Sequence, residues 1–462
     1  MSDWTLCIDF GTAYSKAAAA PTGAWSRFDP GQVRPLMVGG HEPSGNAFLL
    51  DSAVFVDETH VLFGRAAITA ADALASKKRM ALKSFKTLLS VSDLDRALNT
   101  NAPLSIDPHR LFQMRDLVVL YLAYLLEAVE QSSASDPLLA DVSSITYRYA
   151  APAWRSGDSA GMHESIVRLF GEADAFRDVV GEKLLAPEGV PLALIEKVLP
   201  KALAQGASFE MGLIFEATAA ASFTSIGLED AGSHFIVVDM GAGTTDIAAL
   251  ARLGPRTIEL PEARVTLKQA GDFIDQLIAN RILDNASWAR STAEKSDLWN
   301  LLMRQMRDIK EAMFADGRAV LRIKGRQIAV TLRDVEKDPD FRAFYKNLQD
   351  AYMHSLAVAR DDAGARGRTE VQAVAVGGGA AAPFIQDLIR KKASRSAPRV
   401  VPRPATPDWA HAAEFRGNLA PVFPQLAISI GGALAPDSML AVRAGDASPA
   451  ATVQTDTSAA HD

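Results

Sequence analysis

Val237-Val238-Asp239-Met240-Gly241-Ala242-Gly243-Thr244-Thr245-Asp246 reads as an apolar strand that ends in an acidic residue and runs into a turn of glycines and hydroxyls. The same plan stands about 230 residues earlier, in Ile8-Asp9-Phe10-Gly11-Thr12-Ala13-Tyr14-Ser15-Lys16. Backbone N–H groups of such turns can face phosphate oxygens, because glycine allows close approach and unusual dihedrals. One such turn could be an ordinary hairpin. Two in register with a long repeat predict an internally duplicated fold that clamps a phosphate chain between its copies. Asp9 and Asp239 suit this chemistry, since Mg²⁺ on a nucleotide keeps several waters and is held through carboxylates. A third segment, Val374-Ala375-Val376-Gly377-Gly378-Gly379, reads as a strand feeding a glycine loop and then a helix. With the two turns it forms a candidate base and ribose platform.

Working outward, Val- and Ile-rich runs at 5–10, 235–240 and 371–376 alternate with segments of helical periodicity at 115–130 and 298–314. That alternation predicts an α/β architecture. Amphipathic strands around Gly254 and Gly325 predict antiparallel or mixed parts of the sheets. No Gly-x-x-x-x-Gly-Lys-Ser/Thr loop occurs, and neither turn fits Gly-x-Gly-x-x-Gly at a strand-to-helix junction.

The chain has 462 residues, 48% apolar and 22% charged, enough for two or more domains with a large core. Its net charge of -7 argues against general nucleic-acid binding, which needs a basic surplus. Cys7 is the only cysteine, so neither an intrachain disulfide nor a multi-cysteine metal site is available. The N-terminus lacks the basic and apolar regions of a signal peptide, and the most apolar stretch, 117–126, is short of a bilayer span. The expectation is a cytoplasmic protein that does not engage membrane. From about Ala441 the composition turns to small and polar residues, which predicts a disordered tail over 441–462.

The order of these segments resembles the actin, Hsp70 and sugar-kinase superfamily. Several further runs resemble the Hsp70 nucleotide-binding part: Ser52 to Val56 through Gly64-Arg65-Ala66-Ala67, Ala151-Pro152-Ala153-Trp154, Glu216-Ala217-Thr218-Ala219-Ala220-Ala221, Ala270-Gly271-Asp272-Phe273 and Ile430-Gly431-Gly432-Ala433. The resemblance implies a duplicated actin-like ATPase fold, with two lobes around a central nucleotide cleft. Lobe I would span 1–230, with an outer subdomain at about 51–105 and an insertion at about 171–206. Lobe II would span 231–440, with an outer subdomain at about 261–335.

Carried over residue by residue, the resemblance gives Asp9 and Asp239 to a hydrated Mg²⁺. Gly11, Thr12, Ala13, Tyr14, Gly241, Ala242, Gly243, Thr244 and Thr245 would line the phosphates of ATP, with Thr244 also in the catalytic set. Glu216 would position the attacking water, and Lys86, with Lys83 as the alternative, would offset charge on the transferred phosphoryl group. Gly377, Gly378, Gly379 and Lys310 would meet the adenosine.

The adenosine end departs from the Hsp70 pattern. Of its helix motif only Lys310 persists, its stacking arginine falls on Ala381, and its late aspartate falls near Gln425. The expectation is a nucleotide-binding part without the Hsp70 substrate-binding half. The leading expectation is therefore a slow Mg-dependent ATPase acting as a chaperone-related or regulatory switch, with a protein client or co-chaperone-like partner. An actin-like filament-forming ATPase, a small-molecule kinase using Asp246 as base, and a nucleotide-binding pseudoenzyme are the alternatives. The apolar run 190–195 in the insertion is a candidate docking segment.

Overall fold

The computed structural model describes residues 4–24, 28–42, 45–83, 85, 94–152, 159–205, 209–224, 234–254, 256–323, 325–391 and 397–441. Lys86, the expected lobe boundary near residue 230 and the tail beyond 441 lie outside them.

Two six-stranded sheets dominate. The first holds β1 (Trp4–Phe10), β2 (Tyr14–Pro21), β3 (Arg34–Pro35), β4 (Leu50–Asp51), β8 (Ile145–Ala151) and β10 (Met211–Phe215), in the order β10-β8-β1-β2-β3 with β4 on the end of β2. The second holds β11 (His234–Met240), β12 (Thr245–Leu253), β13 (Arg256–Glu259), β14 (Val265–Leu267), β17 (Glu370–Val376) and β18 (Arg399–Pro402), in the order β13-β12-β11-β17-β18 with β14 on β12. In each sheet a central hairpin is antiparallel, and the strands on its far side are parallel.

The duplication extends to the register. Asp9 pairs with Lys16 and Phe10 with Ser15; Asp239 pairs with Asp246 and Met240 with Thr245. The short capping strands agree as well, with Ser15 opposite Leu50 and Thr245 opposite Leu267. This is the duplication expected from the paired turns, in the two-lobed actin-like α/β fold that the resemblance implies.

Strand alternation decides which side chains face which layer. Leu6 and Ile8 of β1 join a core beneath the helices Met114–Ala134 and Ser159–Val180, and Ile236 and Val238 of β11 join one beneath Gly271–Asn285 and Pro339–Ala365. The intervening residues Cys7, Phe235 and Val237 enter a third core shared by both lobes. At its centre lie the helices Glu216–Thr224 and Leu419–Leu434, the most extensively packed helix pair in the chain. Asp9 and Asp239 fall on this same alternation, so both carboxylates belong to the faces that look between the lobes.

A smaller sheet, β7-β5-β6-β9, is built from β5 (Ala53–Val56), β6 (His60–Phe63), β7 (Leu82–Lys83) and β9 (Val190–Pro191). The last of these bears on the segment 190–195. Val190 pairs with Val61, Val190 and Ile195 are fully buried, and the helix Leu192–Gln205 turns Val198 and Leu199 into lobe I. Val190 and Ile195 therefore belong to the core, while Pro191 and Ala193 between them are exposed. Pro200 sits inside that helix.

A correction concerns the apolar stretch 117–126. It is the middle of a 21-residue helix that is long and apolar enough, by length and composition, to cross a membrane. Residues 117–126 are buried throughout against lobe I, which accounts for the hydropathy. In the outer part of lobe II, β15 (Arg318–Ile323) and β16 (Arg326–Thr331) form a hairpin beside the helix Thr292–Asp316. That helix starts at a Ser291/Glu294 capping box and ends at Gly317 with φ +72°.

Candidate nucleotide-phosphate site

The two turns face the seam between the lobes. In the first, the carbonyls of Gly11 and Ala13 are drawn inward by Ser52, whose hydroxyl bonds Gly11 O at 3.0 Å and whose N–H bonds Ala13 O at 2.9 Å. In the second, Gly241 O and Ala242 O accept from the amides of Gly271 and Asp272, at 3.1 and 2.8 Å, where the helix Gly271–Asn285 begins. With the carbonyls tied back, the amides of Thr12, Ala13, Ala242 and Gly243 have no acceptor among the described residues. Oriented amides of this kind form an anion-binding concavity.

Gly11 is required sterically, because a Cβ there would overlap the Tyr14 carbonyl. Thr244 Oγ1 donates to Asp246 Oδ2 at 2.9 Å and Thr266 Oγ1 to Asp246 Oδ1 at 2.6 Å, so both oxygens of Asp246 are occupied in shaping the hairpin. Both bonds give Asp246 a structural role in the hairpin. Thr245 is likewise turned inward, its buried hydroxyl bonding Gln269 O at 2.9 Å.

The equivalent aspartates differ in surroundings. Asp9 is buried and bonded at 2.7 Å to Lys16 Nζ, a partner supplied by the opposite strand of its own hairpin. Asp239 has Asp246 at that register position and no lysine. The first carboxylate is thus neutralised locally, while the second stands in an acidic hairpin. Lys16 was missed in the sequence, although a hairpin drawn with the correct turn length would have placed it opposite Asp9.

Glu216 is buried at the start of its helix, directly after β10, and both it and Asp9 act electrostatically on Cys7. Burial is the larger influence there and pushes the Cys7 thiol up. The glycine loop closes the other side. Gly377 has φ +82°, and a Cβ on it would overlap Asp239 Oδ1. Gly379 N–H bonds Met240 O at 2.8 Å, and Gln425 lies beside Gly378.

Lys83, on the edge strand β7, is exposed and its charge lowers both Asp51 of lobe I and Asp272 of lobe II, although burial dominates and pushes both carboxyls up. Lys310 is held at 2.7 Å by Asp275. One turn earlier on the same helix, Arg307 reaches into lobe I. Its Nη1 donates to Tyr14 Oη at 2.9 Å, and its guanidinium lies 5.3 Å from the Tyr14 ring centroid. This bridge spans the cleft beside the first turn, and motif matching gave no sign of it. A cavity of about 460 Å³ lies elsewhere, lined in part by Arg34, Met37, Phe48 and Asp136 of lobe I and by Phe415 of lobe II; none of the expected site residues borders it.

The residues present fit a hydrated Mg²⁺. Among the described residues no group of three or more His, Cys, Asp or Glu could form a closed metal cage. Paired carboxylates next to a phosphate-binding concavity are the usual setting for an ion that keeps its waters.

No protein-family model matches the chain. A stretch of 49 residues is 49% identical to the actin-like protein MamK of Paramagnetospirillum magneticum, covering 11% of this chain and 13% of that protein. A stretch of 52 residues is 46% identical to the actin-like protein MamK of Magnetospirillum gryphiswaldense, with the same two coverages. The chain thus spans 13% of the length of the curated relatives it matches. The likeness lies on the actin-like side of the superfamily.

Proposed function

We propose that the chain binds a nucleoside triphosphate, with ATP the favoured candidate, and hydrolyses it slowly between its lobes in the manner of an actin-like ATPase. The observation that carries this reading is the pair of hairpins with aspartates in identical register, each with its turn carbonyls tied back. A phosphate chain would lie between Gly11–Tyr14 and Gly241–Thr244, and Asp9 and Asp239 would hold hydrated Mg²⁺, which supplies charge neutralisation of the phosphates. Lys16 and Lys83 bring further positive charge to the same place. Lys86 keeps its proposed role at the phosphoryl group, and Glu216 orients the attacking water. Gly377–Gly379 and Lys310 remain the proposed adenosine side. Catalysis of this kind rests on positioning and electrostatics.

For the output, the matches to actin-like proteins favour nucleotide-dependent self-assembly over the Hsp70-like chaperone switch. The Hsp70-like runs around Ser52, Glu216 and Gly271 favour the second reading, in which lobe closure sets partner affinity. Labelled ATP with Mg²⁺, scored together for binding, phosphate release and sedimentation, separates them. Pelleting with ATP supports assembly, and binding with hydrolysis but no pelleting supports the switch. No nucleotide binding rejects both. Glu216→Ala is expected to slow hydrolysis by about 10² or more while ATP still binds.

A further inference from the structure

Ser52 belongs to none of the phosphate turns, yet it holds the first one by both ends. Its N–H and hydroxyl take the Ala13 and Gly11 carbonyls, at 2.9 and 3.0 Å. The hydroxyl also lies 3.1 Å from Ser15 Oγ, and Tyr121 Oη stands within hydrogen-bond reach of both, 2.9 Å from Ser15 and 3.2 Å from Ser52, with one proton to give to either. Ser15 and Tyr121 are fully buried and Ser52 is nearly so. The Tyr121 ring is stacked on Phe10 and Phe85, which fixes the position of its Oη.

In lobe II the Gly241 and Ala242 carbonyls are held by two backbone amides at a helix start. Among the described residues lobe I shows no such helix at its turn and uses a serine instead. Ser52 also joins β4 to β5, and its neighbour Asp51 pairs with Tyr14 in the sheet and with Arg65 Nη2 at 3.0 Å. The grip on the turn therefore comes from the chain that leads into the outer sheet.

We propose that Ser52, oriented by Ser15 and Tyr121, is the positioning residue of the first phosphate turn: it holds Gly11 and Ala13 so that the amides of Thr12 and Ala13 point at the phosphates. The proposal rests on the nucleotide reading above. A buried hydroxyl that only filled space would contribute to stability alike with or without ligand. A hydroxyl that sets amide direction contributes to binding in proportion to the phosphates the ligand carries.

The test is calorimetric titration of the full chain with ATP and with adenosine, in Mg²⁺, for the unaltered protein, Ser52→Ala and Tyr121→Phe. The expected result is a rise of about tenfold in the ATP Kd for Ser52→Ala, the size of one well-placed hydrogen bond, with the adenosine Kd changed less than about twofold. Tyr121→Phe, which frees the two serines to rotate, is expected to raise the ATP Kd about threefold and leave adenosine unaffected; it carries the test if Ser52→Ala fails to fold. Equal losses for ATP and adenosine, or an unchanged ATP Kd, overturn the positioning role while leaving the nucleotide reading intact. Failure of the unaltered chain to bind ATP overturns both.

Discussion

Glu42 is the residue whose charge state depends most visibly on the fold. Its Oε1 accepts from the Arg65 N–H at 2.6 Å and from Tyr124 Oη at 3.1 Å, and burial pushes its carboxyl up to about 7. The Arg65 N–H bond opposes the shift, nearby Asp51 adds to it, and the Tyr124 hydroxyl and Arg65 charge oppose it more weakly. A folded-state value above the unfolded one means that the native state holds the proton more tightly. The cost of the buried charge is absent below about pH 4.5, grows as pH rises toward 7 and is complete above it. Glu42→Gln keeps an acceptor for both donors and is expected to raise the melting temperature at pH 8 more than at pH 5. Parallel melting curves for the two proteins across that range would contradict the assignment. At the site itself, Gly377→Ala places a Cβ against Asp239 at a positive φ. ATP affinity should fall by about tenfold or more with the secondary structure retained, measured by titration and circular dichroism. The glycine was legible in the sequence as part of a loop. Its reason, the nearness of Asp239, was not, because the two lie far apart along the chain.

The helix Leu419–Leu434 shows what an element needs from its surroundings. It is apolar around its whole circumference, which suits a helix packed between two lobes. Its last carbonyls are met by a buried arginine on β8: Arg148 Nη1 bonds Gly432 O at 2.8 Å and Ala435 O at 2.6 Å, and Nη2 bonds Asp437 at 2.6 Å. Arg148→Leu would leave those carbonyls buried without this donor, and a loss of about 2–4 kcal/mol in urea unfolding is expected. A loss below about 0.5 kcal/mol would show the arginine to be dispensable. Gly432 packs on Cys7 so closely that a Cβ would overlap Sγ, which ties the same helix to the central strand of lobe I. Strand β9 is the contrasting case. Two residues carry no periodicity of their own, and the strand exists because Val61 offers its edge. For that reason the segment 190–195 read as an exposed apolar run.

At the scale of the molecule, the lobes share a core and a bridge. The shared core draws side chains from both sheets around two helices, so the lobes should unfold in one calorimetric transition. Two resolved transitions would show that the core does not couple them. The bridge, Arg307 to Tyr14, lies at the cleft itself. Arg307→Ala removes both the hydrogen bond and the stacked guanidinium and should increase hydrogen exchange in 11–14 before nucleotide is added. Unchanged exchange there would argue that the bridge is incidental. The sequence by itself determined the duplicated α/β plan, the two acidic turns and the glycine loop, because each is a local pattern of strand, carboxylate and glycine that short-range sterics can specify. The tertiary structure alone decided that Lys16 neutralises Asp9, that Ser52 holds the first turn, that Arg307 spans the cleft and that Val190 and Ile195 are buried. Each of these depends on register or on distant chain brought alongside, and such contacts arise from packing two sheets about a common pair of helices.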